Sequence, residues 1–137
     1  MTRINVVPVE ELESMHLLAE YRELPRIFQL AKNFYAAGKK EKFPPVYTLG
    51  KGHVKFFYDK LLWLAKRQEQ LVEELKKRGY SPQFTNPKEL LNDCPSEICG
   101  DYQVTEDALA INRQRIALRL QEYNERKKQK MDKVSLL

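Results

Sequence analysis

At 137 residues, 42% of them apolar, the chain is sized for one compact domain with its own core, spanning residues 1–137, and not for two. No apolar run approaches the ~20 residues of a membrane span, and Glu10, Glu11 and Glu13 leave no signal-peptide core, so an intracellular, cytoplasmic protein with no membrane contact is expected. The net charge of +5 is concentrated: from Arg113 to Lys133 eight basic residues stand against three acidic ones, a balance suited to a polyphosphate partner.

The chain opens Met1-Thr2-Arg3. Removal of the initiator methionine before a small residue exposes a threonine α-amine. With a reference pKa of about 7.7–8, against about 10.4 for lysine, that amine is a far better nucleophile at neutral pH.

A first helix is expected from about Val9 to Ala37, where Leu17, Tyr21, Leu24, Phe28, Ala31 and Tyr35 recur at three- and four-residue spacing and Gly38 ends the pattern. At about 100° per residue, His16 and Glu23 fall within roughly 20° of each other, and Arg26 and Arg22 continue the same arc. One histidine, one carboxylate and two arginines therefore share a polar face. Pro25 removes a backbone donor inside this helix, which opens it beside Glu23.

Gly50-Lys51-Gly52-His53 is read as the opening of a second helix, with backbone amides and Lys51 placed for an anion. A tight turn whose glycines only supply positive φ is the alternative. That helix is expected from about His53 to Arg78, burying Val54, Phe57, Tyr58, Leu61, Leu64, Ala65, Leu71, Val72 and Leu75 and stopping at Gly79. Trp63, in the same stretch, is assigned to the core. A short helical turn is expected over Pro87–Asn92. Cys94 and Cys99, with only His16 and His53 elsewhere, do not make a four-ligand zinc site and are expected as reduced thiols. The third helix starts at Thr105 as N-cap, with Glu106 and Asp107 in its first turn, and turns Leu109, Ile116, Leu120 and Tyr123 inward. A basic tail follows from about Asn124. The fold expected is all-α: three main helices joined by long irregular loops.

Several dispersed segments, in order, resemble the pyrimidine-dimer DNA glycosylase and abasic-site lyase family of the phage endonuclease V type. They are Met1-Thr2-Arg3-Ile4-Asn5, His16, Ala19-Glu20-Tyr21-Arg22-Glu23-Leu24-Pro25-Arg26, Leu49-Gly50-Lys51-Gly52-His53-Val54 and Phe56-Phe57-Tyr58-Asp59-Lys60-Leu61. Lys66-Arg67-Gln68, Lys77-Arg78-Gly79 and Gly100-Asp101-Tyr102 extend the likeness. The resemblance implies a monomeric enzyme acting on double-stranded DNA that carries a damaged base or an abasic site. By it, the Thr2 amine attacks C1′, the base leaves, and an imine remains. Glu23 is then the catalytic carboxylate for the β-elimination that nicks the strand. No metal and no organic cofactor enters this chemistry. Arg3, His16, Arg22, Arg26, Lys51, His53, Arg115 and Arg119 are the expected DNA-binding residues, and the arginines nearest the amine favour its uncharged form. Base flipping accompanies such chemistry.

The chain departs from the family pattern in two places. Met15 stands where the phage enzyme has a polar residue, and the aromatic-rich C-terminus is replaced by the lysine-rich Asn124–Leu137. Two other readings stay open: the same amine chemistry on an oxidised or ring-opened purine, and a helical DNA-binding protein without catalysis.

Overall fold

A computed structural model describes residues 3–38, 43–83 and 86–135, with side chains to residue 132. Among them the fold is all-α, as the periodicity predicts: α1 spans Ser14–Ala36, α2 Leu61–Lys77 and α3 Glu106–Ser135. Four 3₁₀ turns, Val9–Glu11, Lys55–Phe57, Pro87–Leu91 and Ser96–Ile98, articulate the connections. No helix among the described residues is long and apolar enough to cross a membrane.

The first helix begins later than its apolar pattern. Leu12 takes an extended conformation (ψ 137°) between the Val9–Glu11 turn and α1, which drives its side chain into the core. Leu17, Leu24, Phe28 and Ala31 are buried as expected, Ile27 joins them, and Tyr35 at the last turn is exposed. Pro25 lies inside α1 and has no N–H for the Tyr21 carbonyl. The fully buried Gln68 of α2 fills that vacancy, its Nε2 donating to Tyr21 O at 3.1 Å. The proline thus becomes a point of attachment between the two central helices.

The second helix starts at Leu61 and not at His53. Lys60 adopts φ −126°, ψ 40° and forms an isolated antiparallel bridge with Cys99, which a helical residue cannot do. The neighbouring Gly100 donates its N–H to Asp59 O, and its carbonyl accepts from the N–H groups of Leu62 and Trp63. Two of the unpaired donors at the start of α2 are so satisfied from another part of the chain. A Cβ at position 100 would stand 2.5 Å from Asp59 O, which is backbone and cannot swing aside. Gly100→Ala is expected to destabilise the fold by about 1–3 kcal/mol, read as a lower urea midpoint at unchanged slope.

This boundary corrects the reading of Gly50–His53 as a helix opening. The segment is a turn, with Gly50 and Gly52 at φ 72° and 91°, and no long helix dipole stands behind Lys51. Of the residues expected to be buried, Val54 is half-buried, while Phe57, Tyr58, Leu61, Leu64, Ala65, Leu71, Val72 and Leu75 are buried, and Gly79 ends the helix at φ 91°. Trp63, expected in the core, is half-buried and packs against it between Phe57 and Tyr102.

Cys94 and Cys99 are also corrected. They are joined as a disulfide, their Cα atoms 6.5 Å apart across the Ser96–Ile98 turn, within the reach of such a bond.

Thr105 caps α3 as predicted, its Oγ1 accepting from the Ala108 N–H at 3.1 Å. The buried face of this helix is shorter than its apolar pattern suggests. Ala108 and Asn112 are buried, Leu109, Ile116 and Leu120 are half-buried, and Tyr123 is exposed. No break occurs at Asn124: the basic stretch continues as helix.

Candidate active site

Residues 3–7 lie outside regular secondary structure, bonded to all three helices, and Ile4, Asn5, Val6 and Val7 are all buried. Buried backbone outside regular structure needs partners for its polar groups, and here side chains supply them one by one. The Ile4 N–H donates to His53 Nε2 at 2.8 Å, and the Ile4 carbonyl accepts from Tyr47 Oη at 2.9 Å. The Asn5 N–H donates to Glu20 Oε1. The N–H groups of Val6 and Val7 both donate to Asn112 Oδ1, at 2.7 and 3.1 Å. Arg67 Nη1 donates to the Val7 carbonyl.

The clamping side chains are themselves linked. Asn5 Nδ2 donates to Glu20 Oε1 at 2.8 Å, and Asn112 Nδ2 donates to Asn5 Oδ1 at 2.9 Å. Arg67 Nε donates to Glu20 Oε2 at 2.7 Å in an ion pair that is 3% and 0% exposed at its two side chains. One residue from each helix, Glu20, Arg67 and Asn112, therefore holds the N-terminal segment in a single register.

That register places Arg3 against the polar face of α1, where its backbone N–H donates to Glu23 Oε2 at 3.2 Å. Around this contact opens a cleft of about 360 Å³ lined by Arg3, Asn5, His16, Ala19, Glu20, Glu23, Arg115, Ile116 and Arg119. The helical spacing of the sequence thus correctly brings His16 and Glu23 together. It is α3, by contributing Arg115 and Arg119, that closes the opposite wall.

Two polar atoms of the lining residues, His16 Nδ1 and Arg115 Nε, are buried without a hydrogen-bond partner. Burial pushes the Arg3 guanidinium below its usual pKa, and repulsion from Arg115 and Arg119 adds to the shift. Three cations crowded at one cleft make a strong field for an anion. Arg22 and Arg26 are exposed on the next part of the α1 face and do not line the cleft, and Lys51 is exposed at its turn. Among the described residues no group of three His, Cys, Asp or Glu side chains is arranged for a metal ion. Met1 and Thr2 lie outside the described residues.

His53, expected at the DNA surface, is 4% exposed with both ring nitrogens engaged inside the protein: Nε2 takes the Ile4 N–H and Nδ1 donates to Thr48 O at 2.8 Å. The acceptor role of Nε2 requires the neutral ring. Burial lowers its pKa, against the pull of the Thr48 carbonyl and with Arg3 repulsion assisting. Burial likewise lowers His16, with Glu13 opposing and Arg119 assisting.

Unfolded histidine titrates at about 6.5, so below that pH the unfolded chain binds protons that the native state refuses. Stability should be level above about pH 6.5 and fall as pH drops below it. Urea midpoints across that range will show the fall, and in His53→Gln only the His16 share of the pH slope should remain. An unaltered slope in the variant would mean that His53 takes up its proton as readily in the fold as in the unfolded chain.

Asn5, Glu20, Arg67 and Asn112 had no role predicted for them. The available signal was a polar residue in register with apolar neighbours, as Glu20 stands between Leu17 and Leu24.

Residues 1–87 match the family model described as pyrimidine dimer DNA glycosylase. The matched stretch carries α1, α2 and all the cleft residues except Arg115, Ile116 and Arg119.

Proposed function

Since the chain belongs to the pyrimidine dimer DNA glycosylase family, a family of DNA-repair enzymes, we propose that it excises cyclobutane pyrimidine dimers through an imine formed by the Thr2 α-amine and then nicks the strand as an abasic-site lyase. The observation that carries this reading is the contact from the Arg3 N–H to Glu23 Oε2 at 3.2 Å. Residue 3 is held against the carboxylate by the buried clamp on residues 4–7.

The steps balance with the protein's own groups. The uncharged Thr2 amine attacks C1′ of the damaged nucleotide, the glycosidic bond breaks, and the base departs with its bonding electrons and a proton. The attacking nitrogen passes one proton to Glu23, which hands it on to O4′ as the C1′–O4′ bond breaks, so the ring opens, a protonated imine stands at C1′, and Glu23 is again a carboxylate. The imine acidifies the C2′ proton, Glu23 removes it, and the electrons expel the 3′ phosphate. Water then hydrolyses the imine and frees the amine.

Arg3, Arg115 and Arg119 attract the phosphates flanking the lesion, and His16 lines the same cleft. Arg22, Arg26 and Lys51 are exposed for contacts outside the cleft. The clamp joins residues 4–7 to all three helices, so the chain acts as one domain, and we take it to act as a monomer.

Borohydride trapping tests the proposal. A covalent adduct on a duplex with a thymine dimer, mapped to the Thr2 nitrogen, is expected. Trapping confined to an abasic duplex would remove the dimer assignment and keep the lyase, and an oxidised-purine duplex in the same panel would expose a different lesion. No adduct on any of them, with Met1 shown by intact mass to be absent, would overturn the chemistry.

A further inference from the structure

α3 outruns the body of the molecule. Its first turns are packed through Ala108 and Asn112, its middle lines the cleft, and from Gln121 to Asp132 every side chain except the half-buried Glu122 is exposed. An exposed helix of this length has no core face to account for it. Its charges are ordered instead. At about 100° per residue, Arg115, Arg119, Arg126 and Lys130 fall within an arc of about 60°. Glu122 borders that arc, Glu125 and Asp132 lie more than about 100° from its centre, and Lys128 is on the opposite side.

The row begins at the reacting site, because Arg115 and Arg119 are walls of the cleft. From Arg115 to Lys130 it extends about 22 Å along the helix axis, the length of roughly six or seven base pairs. A line of cations that starts at the cleft and leads away from it matches a ligand that is itself a line of anions passing through the cleft.

We propose that the projecting half of α3 is a second DNA-binding element, in which Arg126 and Lys130 grip backbone phosphates of the duplex flanking the lesion. The inference rests on duplex DNA being the substrate but not on the imine chemistry. In this chain a basic helical arm then supplies affinity that Arg3 and the cleft alone do not, and it contributes contacts that are indifferent to sequence.

The test is the salt dependence of binding to a duplex of about 30 base pairs with a central tetrahydrofuran abasic analogue, which cannot form an imine. Each phosphate contact contributes about 0.9 to the slope of log affinity against log salt. In R126Q/K130Q that slope should flatten by about two, with weaker binding at low salt, while K128Q, on the opposite side of the same helix, should leave it unchanged. Circular dichroism will establish that both variants keep the helix. A wild-type slope in R126Q/K130Q, or an equal loss in K128Q, would overturn the proposal. Borohydride trapping reads the chemistry separately, so a failed arm and a failed imine give different results.

Discussion

Glu23→Gln is expected to abolish strand incision for practical purposes, lowering it by about 10²–10⁴-fold, the usual contribution of a positioned acid–base group. The amide keeps an oxygen to accept the Arg3 N–H, so the N-terminal segment stays in place. What is lost is a carboxylate able to take the C2′ proton. Affinity for an abasic-analogue duplex should be retained or increased, because a negative charge has been removed from a cleft lined by Arg3, Arg115 and Arg119. Incision rate and binding measured side by side separate the two effects. Equal losses of binding and rate would place Glu23 among structural residues, and wild-type incision would remove it from the mechanism.

The second large effect falls on stability. In Glu20→Gln the neutral side chain still accepts from Asn5, but Arg67, 3% exposed, loses its counter-charge. Removing one partner of a buried ion pair leaves the other desolvated and unpaired, at roughly 3–5 kcal/mol. Since domains of this size are stable by only about 5–15 kcal/mol, the variant should unfold at a much lower urea concentration. A shift corresponding to less than about 1 kcal/mol would show that water reaches Arg67. Incision assayed well below the transition would show whether the register of residues 3–7 survives in the folded fraction. Replacing Asn112 by leucine acts on the same segment from α3, since it leaves the Val6 and Val7 N–H groups buried without an acceptor.

Much of the fold follows from periodicity. The apolar spacing of Leu17, Leu24 and Phe28, and of Leu61, Leu64, Leu71 and Leu75, defines two helices whose faces pack together. The same arithmetic brings His16 and Glu23 into one cleft and stacks Arg115 above Arg119. What escaped it was decided by distant neighbours. The start of α2 is set by Gly100, thirty-nine positions after Leu61, so no local pattern near His53 could mark it.

His53 offers the same lesson in side-chain form. A histidine after a glycine turn has the residue type of a phosphate contact, but the partner that fixes its role is Ile4, forty-nine positions earlier. Glu20, Arg67 and Asn112 are polar residues made useful by burial, and burial is a property of the assembled helices rather than of any one of them. The cysteines belong with these: their pairing depends on the Ser96–Ile98 turn between them.

The bonds from Val6 and Val7 to Asn112 join positions 106 and 105 apart in the chain. During synthesis, which proceeds at about 5–20 residues per second, the leading segment emerges first and its α3 partner among the last. Until that partner arrives, the Val6 and Val7 N–H groups lack the acceptor that seats them. A ribosome-bound fragment ending before α3 lacks the wall formed by Arg115 and Arg119. The order of translation thus leaves the cleft without its second wall until α3 has been made.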